Sequence, residues 1–264
     1  MHGRQGPDLG RVMLISPQRV FYAGLLGKPR KRCSGGYNVY AAIHGHLRVL
    51  IDGRAAAGEV VLVPPYVPHS VESEHPSIIC IVIEPETVAP AAMASLSARI
   101  CGPGAPDVAR YIRSAYENLR LEARRTGFTT PEFDRWFFGE VLADREIDPR
   151  IRRAAVRLND LSGRRMTAIE CAAAASLSPS RFLHLFKEQT GISFRAFRAW
   201  KRARHLLHYV NEDINLAHLA QDIGYPDSTH FSHSIRRFYG LAPRTIFSGS
   251  RQLAIYRSDP GLHR

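Results

Sequence analysis

The amino-acid sequence predicts an α+β chain of two domains, β-rich first and all-α second. Three observations predict it. Short runs rich in Val, Ile and Tyr, punctuated by Gly, Pro and Asp-Gly, occupy residues 11–88. From Asp107 onward the apolar residues fall at helical spacing. A phrase at residues 175–191, ASLSPSRFLHLFKEQTG, also returns in altered form at residues 222–240, DIGYPDSTHFSHSIRRFYG.

Composition bounds the function classes. The chain has 264 residues, 45% of them hydrophobic and 23% charged, which suits a globular protein. No apolar run approaches the roughly 20 residues of a spanning helix, and Arg and Pro interrupt the N-terminal apolar patch, so a cytoplasmic protein without a membrane partner is expected. Cys33, Cys80, Cys101 and Cys171 are scattered, which argues against a zinc knuckle or a disulfide framework. Charge is uneven. From Pro149 onward 19 Lys and Arg face 8 Asp and Glu, a net of +11, whereas the preceding residues carry a net of +1. A field of that kind suits a polyanion, nucleic acid before an anionic membrane surface.

Taken in order, residues 1–10 are expected to lack order. YNVYAAIHG, HLRVLIDG, GEVVLVPP and SIICIVIEP read as strands of a sandwich or small barrel within 11–88. Residues 89–148 begin as a Pro-, Gly- and Ala-rich connector with room for one short helix. Two helices follow: one carries Val108, Tyr111, Ile112, Ala115 and Leu119, the other starts at Pro131 and carries Phe133, Trp136, Phe137 and Val141. Their apolar faces either pack in the core or meet a second subunit. Asp148-Pro149 opens an all-α domain, 149–250, with helices expected at 149–162, 167–174, 179–189, 194–209, 216–222, 228–238 and 243–249. Residues 251–264 read as a tail.

The repeated phrase is a helix, a tight turn and a second helix ending at a Gly cap. With a shift of 48, Cys171, Ala172 and Ser176 pair with Leu219, Ala220 and Gly224; with a shift of 49, Phe182, Phe186 and Gly191 pair with Phe231, Ile235 and Gly240. Such units are helix-turn-helix grammar. A methyl at Ala172 and Ala220 permits close helix crossing. Gly224 readily takes positive φ; Ser176 does not, so mild strain or an altered turn is expected there. The second helices bury Phe182, Leu185 and Phe186, or Phe231, Ile235 and Phe238. Their other faces carry Ser180, Arg181, Leu183, His184 and Lys187, or Ser228, Thr229, His230, His233 and Arg237. Arg and His can donate to guanine, Ser and Thr can serve base or phosphate, and Leu183 can touch a thymine methyl. His230 and His233, three apart, could instead hold a metal, but Asp227 alone stands near to complete a ligand set; a plain solvated face is the remaining reading.

Residues 150–249 resemble the DNA-binding domain of the AraC/XylS transcription regulators. The resemblance lies in LSPSRFLHLFKEQTGISF, in DINLAHLAQDIGYPDSTHFSHSIRRFYGLAP and in the linker RAFRAWKRARHLLHYV. It implies two helix-turn-helix units on a rigid linker helix, reading successive major-groove segments about one helical turn apart. Ser176 replaces the family's usual Gly, and His184 stands where a longer basic side chain is common.

GEVVLVPPYVPH, residues 58–69, similarly resembles the second motif of cupins, with Tyr66 at its usual Gly. A cupin-like β-barrel sensor is therefore expected in front of the DNA-binding domain. The places of the cupin metal ligands hold Lys31, Cys33 and Asn38, a poor set; His44, His46 and His69 form a substitute of unsuitable placement. Tyr37, Asn38, Tyr40, Tyr66 and His69 are the candidates for lining an effector pocket inside the barrel, or else are core and rim residues.

The expected function is a sequence-specific DNA-binding transcription regulator. It would be a homodimer on double-stranded promoter or operator half-sites, without catalytic residues, metal or cofactor, and controlled by a small effector at the barrel. By resemblance the barrel helps form the dimer, and activation by contact with RNA polymerase is the common mode, with repression open. Competing readings are a metal-dependent cupin enzyme with a DNA-binding tail, an effector-free repressor, and a module docking on an acidic protein.

Overall fold

The computed structural model describes residues 10–28, 30–121, 127–159 and 166–258. Residues 1–9 of the expected disordered start, 160–162 of the first expected C-terminal helix and 259–264 of the tail lie outside the described residues. Eight strands come first: β1 (Val12–Ile15), β2 (Arg19–Leu25), β3 (Tyr37–Ala42), β4 (Leu47–Ile51), β5 (Arg54–Gly58), β6 (Val60–Val63), β7 (His69–Ser73) and β8 (Ser77–Ile83). Asp52 and Gly53, at φ 47° and 79°, make the two-residue turn that joins β4 to β5. Then come α1 (Pro90–Cys101), α2 (Ala105–Leu121), α3 (Thr130–Phe138), α4 (Pro149–Asn159), α5 (Ala168–Ala174), α6 (Pro179–Thr190) and α7 (Phe194–His205). A 3₁₀ turn, α8 (Leu216–Asp222), α9 (Ser228–Tyr239), α10 (Pro243–Ser250) and β9 (Ala254–Arg257) complete the order.

The strands form two sheets, one ordered β6-β3-β8-β2-β1-β9 and one ordered β5-β4-β7. Alternation along the larger sheet explains its near-continuous apolar sequence, because both faces are covered. Val12, Leu14, Phe21, Ala23, Ile79 and Ile81 pack on α1–α3. Met13, Ile15, Val20 and Val82 turn the other way, into the core of the C-terminal helices. Tyr40, Ala42 and Ile78 share that second face with Leu47, Val49 and Val71 of the smaller sheet. Each buried Val, Leu, Ile, Phe or Met among them contributes about 1.5–3 kcal/mol by leaving water, so neither face is left bare.

That packing corrects the expected closed barrel. Among the described residues no ladder joins the two sheets; a single isolated bridge, Arg32 to His69, ties the segment between β2 and β3 to the smaller sheet. The smaller sheet covers one end of the larger one, and the C-terminal domain takes the rest. The tail is corrected too. β9 adds to β1 in parallel, Val12 against Ala254 through Ile15 against Arg257, and so ties the chain's last described strand to its first.

The connector holds a full helix, α1, whose Met93, Leu96 and Ile100 are buried. Helix α3 starts in a capping box of Thr129 and Glu132 and stops at Gly139, φ 79°, so Val141 falls outside the helix expected to carry it. Arg19 on β2 grips Asp134 on α3 through two nitrogens, at 2.8 and 3.1 Å, in full burial.

Helix α7 joins the domains by polar contact. Glu84, just past β8, accepts from Trp200 Nε1 at 2.9 Å and Lys201 Nζ at 2.5 Å, and pairs with Arg204 Nε at 2.8 Å. Glu86 meets Lys201 Nζ at 2.6 Å. Burial pushes Glu84 toward its neutral form, but Lys201 and Arg204 outweigh it and hold its carboxyl below the ordinary range. Burial wins at Glu86, opposed by Lys201 and aided by Glu84, and raises it. Arg204 Nη2 also donates to the carbonyl of Ser16.

Candidate nucleic-acid interface

The two helix-turn-helix units are built alike. In the first, Thr167 and Glu170 form a capping box for α5, and Ser178 caps α6 ahead of Pro179 at N1. In the second, Asn215 caps α8 and Asp227 caps α9. Gly191 and Gly240 end α6 and α9 at φ 77° and 73°. The turns match as well. Leu177 N–H donates to Ala172 O at 2.9 Å, and Tyr225 N–H donates to Ala220 O at 2.7 Å. Ala172 and Ala220 are 1% and 0% exposed, so each α5–α6 or α8–α9 crossing has room for a methyl and no more. Ser176 adopts φ 54° where Gly224 adopts 92°; the turn is kept and the strain falls on Ser176.

Helix α7 runs from one unit into the other. Phe194 and Phe197 pack with Phe182 and Phe186 of the first unit. Trp200, Ala203 and then Leu206 join Phe231, Ile235 and Phe238 of the second. One helix thus belongs to both cores, which fixes the spacing of α6 and α9.

Helix α6 buries Phe182, Leu185 and Phe186, and exposes Ser180, Arg181, Leu183, His184 and Lys187. Helix α9 buries Phe231, Ile235 and Phe238, and exposes Ser228, Thr229, His230, His233 and Arg237. Asp227 accepts from the N–H groups of Thr229 and His230 at 2.8 Å each, and its second oxygen lies 2.7 Å from His230 Nδ1. These bonds, with the N–H donors of His230 and Thr229 and the His230 ring, hold the Asp227 carboxyl below its ordinary range. The same contacts orient the His230 ring. His184 lies 3.9 Å from Glu188, too far for a firm pair. Basic residues outside the expected set, Arg152, Arg153 and Arg157, stand exposed on α4. The excess of positive charge after Pro149 was the signal for them.

The expected effector residues do not gather in a barrel interior. Tyr37 packs at the edge of the α1–α3 core. Tyr66, at φ 59°, is wedged against both helix-turn-helix cores. His69 is wholly buried, Nε2 2.8 Å from Tyr40 OH and Nδ1 2.7 Å from Val67 O; burial, against the Val67 bond, lowers its pKa to about 4. His44 and His46 stand exposed at the β3–β4 turn, away from His69. Asn38 and Tyr40 do line a cavity, of about 360 Å³, which opens between the larger sheet and the C-terminal helices. Two of the five expected residues thus line a seam between the larger sheet and the C-terminal helices, not a barrel interior.

Two helix-turn-helix units locked to one rod define a double helix-turn-helix protein. Residues 171–248 match the family described as helix-turn-helix domain. The arabinose operon regulatory protein of Escherichia coli K12 is 30% identical over 110 residues, 40% of this chain and 37% of that relative. The match spans little more than a third of that relative's length. ToxT from Vibrio cholerae O395 is similar across 89% of this chain and 99% of its own, at TM-score 0.58 and 11% identity. A ToxT structure from strain SCE256, described as bound to an unsaturated fatty acid, is similar across 89% of this chain and 96% of its own, at TM-score 0.51 and 12% identity. These two likenesses show the fold.

Proposed function

We propose that this protein is a DNA-binding transcription regulator, with residues 149–250 as its DNA-binding domain and the preceding residues as a sensing and dimerising part. The observation that carries the reading is the pair of exposed polar helix faces, on α6 and α9, held at fixed spacing by α7. Ser180, Arg181, Leu183, His184 and Lys187 would enter one major-groove segment, and Ser228, Thr229, His230, His233 and Arg237 the next. Arg152, Arg153 and Arg157 would meet phosphates and set register without reading bases. The protein acts by binding, in the cytoplasm, as a homodimer on repeated half-sites, and touches RNA polymerase in activation. The arabinose operon relative and the fatty-acid-bound ToxT support control by a small molecule. A ligand can exert that control by favouring one arrangement of the two parts over another.

The test is selection of bound sequences from random duplex DNA by the full chain. A recurrent pair of motifs about one helical turn apart is expected. Recovery of unrelated sequences, with affinity indifferent to sequence, would sink the reading.

A further inference from the structure

Arg181 and His230 occupy the same place in the duplicated units. The shift of 49 that pairs Phe182 with Phe231 also pairs these two, and each is the third residue of its helix. Both are exposed. The N-terminal residues of a helix of this kind meet base edges in the major groove.

Their caps differ. Ser178 Oγ accepts from the Arg181 backbone N–H at 3.3 Å. Asp227 does more. Its Oδ1 accepts from the backbone N–H of Thr229 and of His230 at 2.8 Å each, and its Oδ2 lies 2.7 Å from His230 Nδ1. An ionised carboxylate offers lone pairs and no hydrogen, so the hydrogen in this contact sits on Nδ1. A neutral imidazole held that way keeps a lone pair on Nε2, here at the tip of a side chain that is 68% exposed. Arginine has donors alone and so the opposite sense. In the major groove guanine shows acceptors, whereas adenine and cytosine show amino groups, N6 and N4.

We propose that Asp227 sets the base preference of α9 by fixing the His230 tautomer, so that His230 Nε2 accepts from a base amino group where Arg181 of the first unit donates to guanine. Asp227 touches no base itself and is a positioning residue. This rests on the DNA-binding reading and names the base chemistry of its second groove segment. Duplicated helices thereby read unlike bases at equivalent places.

The test uses the full chain at about pH 8, where imidazoles are neutral. Selection from random duplex DNA by the parent and by His230→Ala locates the contacted base pair, as the position where the variant loses preference. Every base pair shows an amino group in the major groove, and a duplex is made without it at that pair, with purine for adenine or 2-pyrimidinone for cytosine. The parent is expected to bind this duplex about fivefold or more weakly, and His230→Ala to bind both duplexes alike. Asp227→Asn keeps the cap, since Asn and Asp cap alike; its oxygen stays on the backbone N–H groups and its amide donates to Nδ1. The hydrogen then moves to Nε2. This variant should lose the response to amino removal and select a different pair there, while preference elsewhere in the site stands. No preference lost on His230→Ala, equal effects of amino removal on it and on the parent, or an Asp227→Asn variant that keeps the parent's response or weakens all positions alike overturns the proposal. A parent that recovers no recurrent motif sinks the DNA-binding reading and this inference with it.

Discussion

Ser176 sits at φ 54°, where its Cβ crowds the following carbonyl, in a turn whose twin uses Gly224. Ser176→Gly should therefore raise stability by roughly 0.5–1 kcal/mol, the relieved strain less the added freedom of the unfolded chain. Urea denaturation checks it; a loss of stability would mean that the serine is unstrained. His69 supplies a pH test. Burial lowers its pKa to about 4, so between pH 6.5 and 4 the unfolded chain takes a proton that the folded chain refuses. Stability should fall as pH drops through that window, by on the order of 3 kcal/mol for this group, and level off below it. His69→Gln should flatten the slope between pH 6.5 and 5; an unchanged slope would assign it to other groups. Arg181 is exposed on α6, and Arg181→Ala should relax base preference at one position of the selected site by about 1–3 kcal/mol. A uniform loss across all sequences would make Arg181 a phosphate contact instead.

Helix α7 shows how far a sequence phrase carries. RAFRAWKRARHLLHYV reads as a basic linker rod, and its helical span, 194–205, follows that reading apart from a last turn wound as 3₁₀. Its charges, however, do not all face water. Lys201 is 1% exposed and Arg204 5%, because Glu84 and Glu86 meet them across the domain boundary. Nothing local in the chain pairs residue 84 with residue 201. Glu84→Gln leaves Arg204 with no carboxylate partner among the described residues and Lys201 with Glu86 alone, and should cost about 3–5 kcal/mol. Thermal unfolding followed by domain-specific probes is expected to show the two parts melting apart; a single unshifted transition would show the network to be dispensable. The strands tell the same story. VMLI of β1 holds no alternation to read, since Val12 and Leu14 serve one core while Met13 and Ile15 serve another.

The molecule carries a net charge of +12, nearly all of it after Pro149. Its affinity for duplex DNA should fall linearly with salt on a log–log plot, at a slope near 0.9 per phosphate neutralised. Titrations from low to physiological salt measure it, and a flat response would point to a protein partner. The duplicated units, their caps and their charge could be read along the chain because each depends on residues a few positions apart: Thr167 with Glu170, Asp227 with His230, Ala172 with Leu177. The open sheet pair, the return of β9 to β1, the buried Glu84 cluster and the seam cavity could not. They depend on which face of a two-sided sheet meets which neighbour, and an apolar residue is satisfied by any dry surface, whereas long-range packing chooses among them.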